Sequence, residues 1–405
     1  MERVYSAAES AEFQRRHDRL VAELETRGLE QLVLTSTESI FYLTGATAEP
    51  LERPFFLVID VARAKRFLVV PRLEQEHLRK GWGPGSQQEV LAYAEFPAPA
   101  GQGWKDALLA LLRPGFAFEP STPHERGGVL VASGGHSLEL LEPLRMVKSD
   151  FEVARIERAA YYAMWGVEQI LRSAYQGATV IEGYMTTTSL RRKIIQEEAH
   201  FDALATDVLA APWPAPLSSE PHSVPGATMK LEGGPHVALV LTRVNGYAAE
   251  CERTFFTARP TKEQGRLFAL MLEARRVAFE KVRPGVLAAD IDAAVNEFLT
   301  REGFGDPAQR LHRTGHGFGL GNHEPPWVAV GSEHRLERNM LISIEPGIYV
   351  PGVGGYRHSD TVLVTADGYR VLTGRVPTDI GSLTFGKPSL QQRVRASVIR
   401  RLAGV

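Results

Sequence analysis

The sequence has a single cysteine, no long apolar run and almost no net charge, and each of these features excludes a class of protein. With only Cys251, the chain forms no internal disulfide framework and no cysteine-based zinc site. No run of about 18 apolar residues occurs, so the sequence predicts no transmembrane helix. The polar start, MERVYSAAESAEFQRRHDRL, lacks the apolar core of a signal peptide. We therefore expect a cytoplasmic protein.

The charges of the chain are balanced. Its 46 lysines and arginines against 48 aspartates and glutamates give a formal net charge of -2. Such a surface has no basic field for nucleic acid or for an anionic membrane. The expected partner is therefore a small-molecule substrate, with no nucleic acid and no membrane among the partners.

The length of 405 residues exceeds what one hydrophobic core usually supports, so we expect two domains, 1–148 and 149–405. In the first, a helix from residue 9 to about 28 is followed by short apolar strands and further helices, which predicts an α/β domain. This prediction includes a strand in GGVLVAS, residues 127–133. In the second, two pairs of helices are each followed by strands, which predicts an α+β domain.

Residues suited to chemistry cluster in three places of the second domain. The loop HRTGHGFGLGNHEPPW holds His312, His316 and His323, and three imidazoles so close together can ligate a metal ion or move protons. Glu345 ends an apolar strand, where a charged residue usually has a partner or a function. His222 lies in the loop SSEPHSVPG.

These motifs together resemble the pita-bread family, which includes aminopeptidase P, prolidase, methionine aminopeptidase and creatinase. The resemblance implies a creatinase-type N-terminal α/β domain and a C-terminal α+β domain with the pita-bread fold. It rests on Pro221-His222, Arg253-Thr254, Gly315-His316-Gly317 with His323-Glu324, Glu345-Pro346-Gly347, and Arg357-His358-Ser359-Asp360.

The peptidase members of that family hold two metal ions with two aspartates, a histidine and two glutamates. The resemblance places these ligands at Leu239, Glu250, His316, Glu345 and Ser359. Since a leucine and a serine stand where carboxylates are needed, no dinuclear centre is expected. One metal ion held by Glu250, His316 and Glu345 stays open as an alternative, because three protein ligands are enough for zinc.

Creatinase, the family member that works without metal, has the most similar pattern. The resemblance to it implies a hydrolase of a C–N bond in a small amidine, guanidino or amide compound, with no cofactor. His222 would be the general base and then the general acid, and we expect a homodimer in which Arg53 reaches the neighbouring site. The expected catalytic residues are His222, His316 and Glu345, and the expected substrate-binding residues are Glu252, His323, Arg53, Arg357 and Glu250.

Two other functions stay open. One is an Xaa-Pro peptidase or a lyase with a single metal ion, which the HEPP sequence after residue 322 favours. The other is a non-catalytic pita-bread binding module. The retention of His222, His316, His323 and Glu345 argues against it, because a binding module has no need for four proton-active groups.

Overall fold

A computed structural model describes residues 6–81, 88–95 and 97–404. The chain divides into two compact units, one ending at Arg145 and the other beginning at Met146, and each is described by itself. The predicted boundary between residues 148 and 149 stays a prediction. Within the described ranges, no helix is both long enough and apolar enough to cross a membrane.

The first unit is built on a six-stranded mixed sheet in the order β4-β3-β2-β1-β5-β6. Its strands are β1 (Gln31–Leu34), β2 (Phe56–Asp60), β3 (Lys65–Pro71), β4 (Gln88–Tyr93), β5 (Ala117–Phe118) and β6 (His136–Ser137). Its helices are α1 (Ala7–Thr26), α2 (Thr37–Thr44), α3 (Gln75–Gly81), α4 (Trp104–Leu109), α5 (His124–Ala132) and α6 (Leu141–Met146). Strands β1 and β2 are buried along their whole length, as their continuous apolar sequence predicts.

The strand predicted at residues 127–133 is wrong, because this segment lies in helix α5 and its C-cap. A short apolar run does not distinguish a buried strand from a helix. In the helix, only Leu130 is buried, while Val131 is 59% exposed. With one buried side chain in nine residues, the segment lacks the alternation of buried and exposed side chains that a strand shows. Packing against the rest of the unit therefore determined its conformation.

The described part of the second unit, up to residue 404, contains six α-helices and twelve strands. The helices are α7 (Asp150–Ser173), α8 (Val180–Tyr184), α9 (Thr186–Glu197), α10 (Lys262–Lys281), α11 (Ala288–Arg301) and α12 (Leu390–Ala403). The strands are β7 (Ala178–Thr179), β8 (Asp207–Trp213), β9 (Lys230–Leu231), β10 (His236–Val244), β11 (Tyr247–Phe255), β12 (Gly315–Gly317), β13 (Glu324–Val328), β14 (Leu341–Ile344), β15 (Gly347–Val350), β16 (Gly354–Arg357), β17 (Ser359–Val364) and β18 (Tyr369–Val371).

An antiparallel sheet in the order β13-β12-β14-β17-β11-β10-β8 dominates this unit, with β18 paired to β17. Helix α7 packs against β10 and β11, and all nine residues of β11 are buried. The two strands are joined by Asn245 and Gly246, whose φ angles of 48° and 95° suit the tight turn of a hairpin. The predicted architecture, α/β followed by α+β, is confirmed.

Candidate metal centre and active site

The order of the strands brings the sequence motifs together. Five neighbouring strands of the sheet, in the order β12-β14-β17-β11-β10, hold the motif residues. His316 lies on β12, Ser359 on β17, Glu250 on β11 and Leu239 on β10, and Glu345 directly follows the last residue of β14. Residues that are far apart in the sequence thus lie side by side across one sheet. The centre depends on strand pairing, and every strand contributes one position to it.

His316 is held in place by its backbone. Its amide N–H donates to Ser343 Oγ at 2.9 Å, and Ser343 Oγ donates to Glu345 Oε1 at 3.0 Å. This close approach requires Gly315, because a side chain there would overlap the carbonyl oxygen of Ser343. The His316 Nδ1–H faces the carbonyl oxygen of Gly317 at 3.2 Å, so the other ring nitrogen, Nε2, is the one that faces Glu250 and Glu345.

Glu250 presents one free oxygen to the centre. Its Oε1 accepts a hydrogen bond from Ser359 Oγ at 2.6 Å, while its Oε2 lies 3.7 Å from His316 Nε2. Leu239 and Ser359, at the other two positions where the resemblance places metal ligands, add no carboxylate. Ser359 orients Glu250, and Leu239 contributes only apolar surface.

The donor atoms are spaced as ligands of one ion would be. His316 Nε2 lies 3.1 Å from Glu345 Oε1 and 3.7 Å from Glu250 Oε2. Ligand atoms about 2.1 Å from a tetrahedral ion are about 3.4 Å apart. His323 completes the set, since donor atoms of Glu250, His316 and His323 all lie within 4.8 Å of one another. Although His316 Nε2 is buried, it makes no hydrogen bond in the described part of the chain.

The pKa values indicate that the buried carboxylates of the centre are stabilised by a positive charge beside them. Burial raises the pKa of Glu250 to about 8, with a further contribution from Glu345. Burial alone would lower the pKa of His316, but the carboxylates of Glu250 and Glu345 outweigh it and raise that pKa to about 9. Burial, aided by the charge of His316, lowers the pKa of His323 to about 4, so this imidazole is neutral at pH 7 with a lone pair to share. Protons therefore supply charge that a cation would otherwise supply.

Glu252 and Arg357, both predicted to bind substrate, bind each other. Arg357 Nη2 donates to Glu252 Oε1 at 2.8 Å, and Arg357 Nε donates to Glu252 Oε2. Both residues are buried. A substrate could contact Glu252 only by displacing this bidentate ion pair, so the proposed substrate contact of Glu252 has no support in the geometry.

Two further residues contact this ion pair: Tyr349, which the sequence did not indicate, and His312, which the histidine-rich loop indicated without a contact to Arg357. The Arg357 Nη1–H groups reach the Tyr349 hydroxyl and His312 Nε2, each at 3.2 Å. The Tyr349 hydroxyl also contacts His312 Nε2. The sequence feature that could have indicated Tyr349 is Gly347 of the EPG motif. Since Gly347 has no side chain, it leaves the space that the Tyr349 phenol fills.

The remaining predicted residues lie at the surface. His222 is exposed in the loop after residues 217–219, and it makes a minor electrostatic contribution to the lowered pKa of His323. Arg53, in the first unit, donates from Nε to Glu95 Oε1 at 2.7 Å and lies 3.3 Å from Glu52.

Other motif residues are structural. Strand alternation points Arg253 and Asp360 to the face opposite Glu252 and Ser359. There Arg253 Nη2 donates to Asp360 Oδ1 at 2.8 Å, and Arg275 pairs with the other oxygen of Asp360. All three side chains are buried, so this part of the motif stabilises the sheet and takes no part in the site.

Comparison with known proteins identifies the same two parts. Residues 152–366 match the metallopeptidase family M24, and residues 16–147 match the creatinase/prolidase N-terminal domain. An uncharacterized peptidase of Staphylococcus aureus (strain USA300) is 30% identical over 88% of this chain and 97% of its own. The crystal structure of dipeptidase PepE from Mycobacterium ulcerans has a TM-score of 0.78 and 27% identity, covering 93% of this chain and 99% of that one. For the Xaa-Pro dipeptidase from Bacillus anthracis, the TM-score is 0.76 and the identity 23%, covering 92% and 100%.

These findings correct one prediction. The chain was expected to be a metal-independent, creatinase-like hydrolase, and this is wrong, since its catalytic unit matches a family of metallopeptidases and its relative is named a peptidase. The prediction of an enzyme that hydrolyses C–N bonds is confirmed. The donor atoms around His316 agree with the correction, because they suit one metal ion. With a family match over residues 152–366 and a relative that is 30% identical over 88% of this chain, the chain belongs to the pita-bread metallopeptidase family M24.

Proposed function

We propose that this protein is a peptidase that uses one divalent metal ion to cleave short peptides, with Xaa-Pro dipeptides as the first class to test. One observation carries the proposal: donor atoms of Glu250, His316 and His323 converge within 4.8 Å around a buried imidazole nitrogen that has no hydrogen-bond partner among the described residues. The chemistry of this donor set, imidazole and carboxylate, suits zinc, manganese or iron.

Glu250, His316 and His323 would hold the ion, with Glu345 beside them. When bound, a divalent ion supplies Lewis acidity towards a peptide carbonyl and towards water. Ser359 and Ser343 keep the two carboxylates oriented through their hydrogen bonds to Glu250 and Glu345.

His222 is the proposed proton donor to the leaving nitrogen. It lies in an exposed loop, where a peptide from solution can reach it, and it makes a minor electrostatic contribution at His323 of the centre. An imidazole can give a proton from one ring nitrogen and take one at the other. The role expected for His222 as an acid therefore survives the change from a metal-independent to a metal-dependent enzyme.

The class of substrate follows from the related proteins. One neighbour in structure is named a dipeptidase and another an Xaa-Pro dipeptidase. Both share the fold over more than nine-tenths of this chain. Short peptides are also the small-molecule substrates that the balanced charge of the chain leads one to expect.

The test is to measure metal content and peptide hydrolysis on the same preparation. We expect about one equivalent of metal per chain after loading with Zn²⁺ or Mn²⁺, and hydrolysis that stops on chelation and returns with the metal. Xaa-Pro dipeptides and matched Xaa-Ala dipeptides should be compared. Turnover that persists at full rate in metal-free protein would refute the proposal.

The protein is further proposed to act as a homodimer in which Arg53 contacts the substrate in the neighbouring site. Loss of a charge-assisted hydrogen bond to substrate lowers kcat/KM by about tenfold or more, so Arg53→Ala should do this while Arg63→Ala, at an exposed arginine, should not. Mixing the Arg53→Ala and His316→Ala proteins should restore activity, because each mixed dimer has one site with both residues. No restoration on mixing, in chains shown to exchange, would contradict action across subunits.

A further inference from the structure

Three positions on neighbouring strands form a row beside the proposed metal site. In the register of the sheet, Leu239 pairs with Glu252, and Glu252 pairs with Ser359. Directly paired residues share one face, and Glu250 shares it too, two residues from Glu252. Of this row, Leu239 has no donor atom and Ser359 gives its hydroxyl proton to Glu250. Glu252 is therefore the row's one carboxylate, and it faces the same side as Glu250.

The charge of Glu252 is already matched. Arg357 binds both of its oxygens, and the third nitrogen of the guanidinium reaches Tyr349 and His312. His312 Nδ1 lies 2.7 Å from the carbonyl oxygen of Arg313, which fixes its proton there and leaves Nε2 as an acceptor. Arg357 is only 6% exposed. Every nitrogen of this guanidinium has a partner, so its position is fixed.

A count of charges then limits the centre to one divalent ion. The face carries three buried carboxylates, those of Glu250, Glu252 and Glu345. Arg357 cancels Glu252, and the other two match the +2 charge of one ion. A second divalent ion would meet no free carboxylate and would lie near a fixed guanidinium, whose repulsion is strong in a poorly solvated site.

We propose that Arg357, paired with Glu252, takes the place of a second metal ion and holds the metal content of the centre at one. This inference rests on the proposed function, in that it requires one ion at Glu250, His316 and His323. It assigns Glu252 a positioning role: the carboxylate anchors a built-in cation and does not hold substrate.

The experiment counts Zn²⁺ or Mn²⁺ per folded chain by native mass spectrometry and elemental analysis. The wild type should bind one ion. Arg357→Met removes the guanidinium and frees Glu252, which together with water can hold a second ion although Leu239 and Ser359 offer no carboxylate, so this variant should bind two. The double variant Glu252→Gln/Arg357→Met has no freed carboxylate and should return to one. Arg357→Lys keeps a cation and should also bind one. Circular dichroism establishes that each variant is folded.

A second measurement keeps the inference testable if Arg357→Met does not fold. Glu252→Gln has nearly the same shape but leaves the charge of Arg357 uncompensated, so the dissociation constant for Zn²⁺ should rise at least about tenfold. The matched control is Glu263→Gln, which makes the same chemical change at an exposed carboxylate paired with Arg266 outside the centre, and it should leave Zn²⁺ affinity unchanged.

The outcomes separate the two proposals. A wild type that binds no ion refutes the proposed function and with it the inference. A wild type that binds one ion, together with an Arg357→Met protein that also binds one, refutes the inference and leaves the proposed function standing. Two ions in the wild type, or unchanged Zn²⁺ affinity in Glu252→Gln, would also overturn the role of Arg357.

Discussion

Replacing His316 by alanine should abolish metal binding and lower dipeptide turnover by at least about 100-fold. His316 is the donor whose ring nitrogen lies between Glu250 and Glu345, at 3.7 and 3.1 Å, and it is the buried imidazole of the set, so its loss leaves the exposed His323 as the one nitrogen donor beside the two carboxylates. Changes to residues that only orient a ligand cost about 10–100-fold, so loss of a direct ligand should cost at least the upper end of that range. Metal per chain and kcat/KM are the measurements.

The matched control for this change is His200→Gln. His200 is exposed and lies outside the cluster around His316, so its substitution should leave the metal content at one and the turnover unchanged. A His316→Ala protein that is folded, retains a full equivalent of metal and turns over at the wild-type rate would show that the ion is bound elsewhere.

The largest loss of stability should follow from Asp360→Asn, with a cost of about 3–5 kcal/mol in the free energy of unfolding. Asp360 is 2% exposed and its two oxygens pair with Arg253 and Arg275, which are also buried. Thr373 Oγ1 donates to the same carboxylate at 2.6 Å. Asparagine keeps the shape but leaves two buried guanidinium groups without their counter-charge.

Hydrogen exchange of the amides in β11 and β17 measures this loss within the second unit. Asp207→Asn is the control, since the Asp207 side chain is 72% exposed and its ion pair with Arg191 is 3.5 Å long. Such surface pairs contribute at most about 1 kcal/mol. If the Asp360 substitution costs no more than the Asp207 one, the buried ion network does not stabilise the sheet as its burial indicates.

Most of the fold could be predicted because long periodic helices and continuous apolar strands carry strong local signals. The second of the two predicted helix pairs corresponds to α10 and α11, and β1 to β3 follow the apolar runs. The segment 127–133 failed because its apolar run is short and two glycines give it little preference of its own. In such a segment tertiary contacts decide, and a single sequence does not contain them.

The sequence indicated which residues form the site better than it indicated which of them contact each other. Histidines and glutamates in glycine-rich motifs pointed to His316 and Glu345, and the structure brings both together with Glu250. The partner of Glu252 was not predictable, because Arg357 lies 105 residues away and meets it only through the pairing of β11 with β17. The resemblance left open one metal ion at Glu250, His316 and Glu345, but it did not indicate that His323 lies beside Glu250 and His316.

Lys148 determines where a fragment that contains the second unit can begin. Its side chain is 1% exposed, and its Nζ lies 3.1 Å from Glu324 Oε1, next in sequence to His323. Its backbone N–H also donates to the carbonyl oxygen of Asn339 at 3.1 Å. A fragment that starts at residue 149, or at 152 where the family match starts, would lose this cation beside the loop that carries His323. The minimal fragment that keeps the loop anchored therefore begins before Lys148, inside what looks by sequence like the end of the first domain.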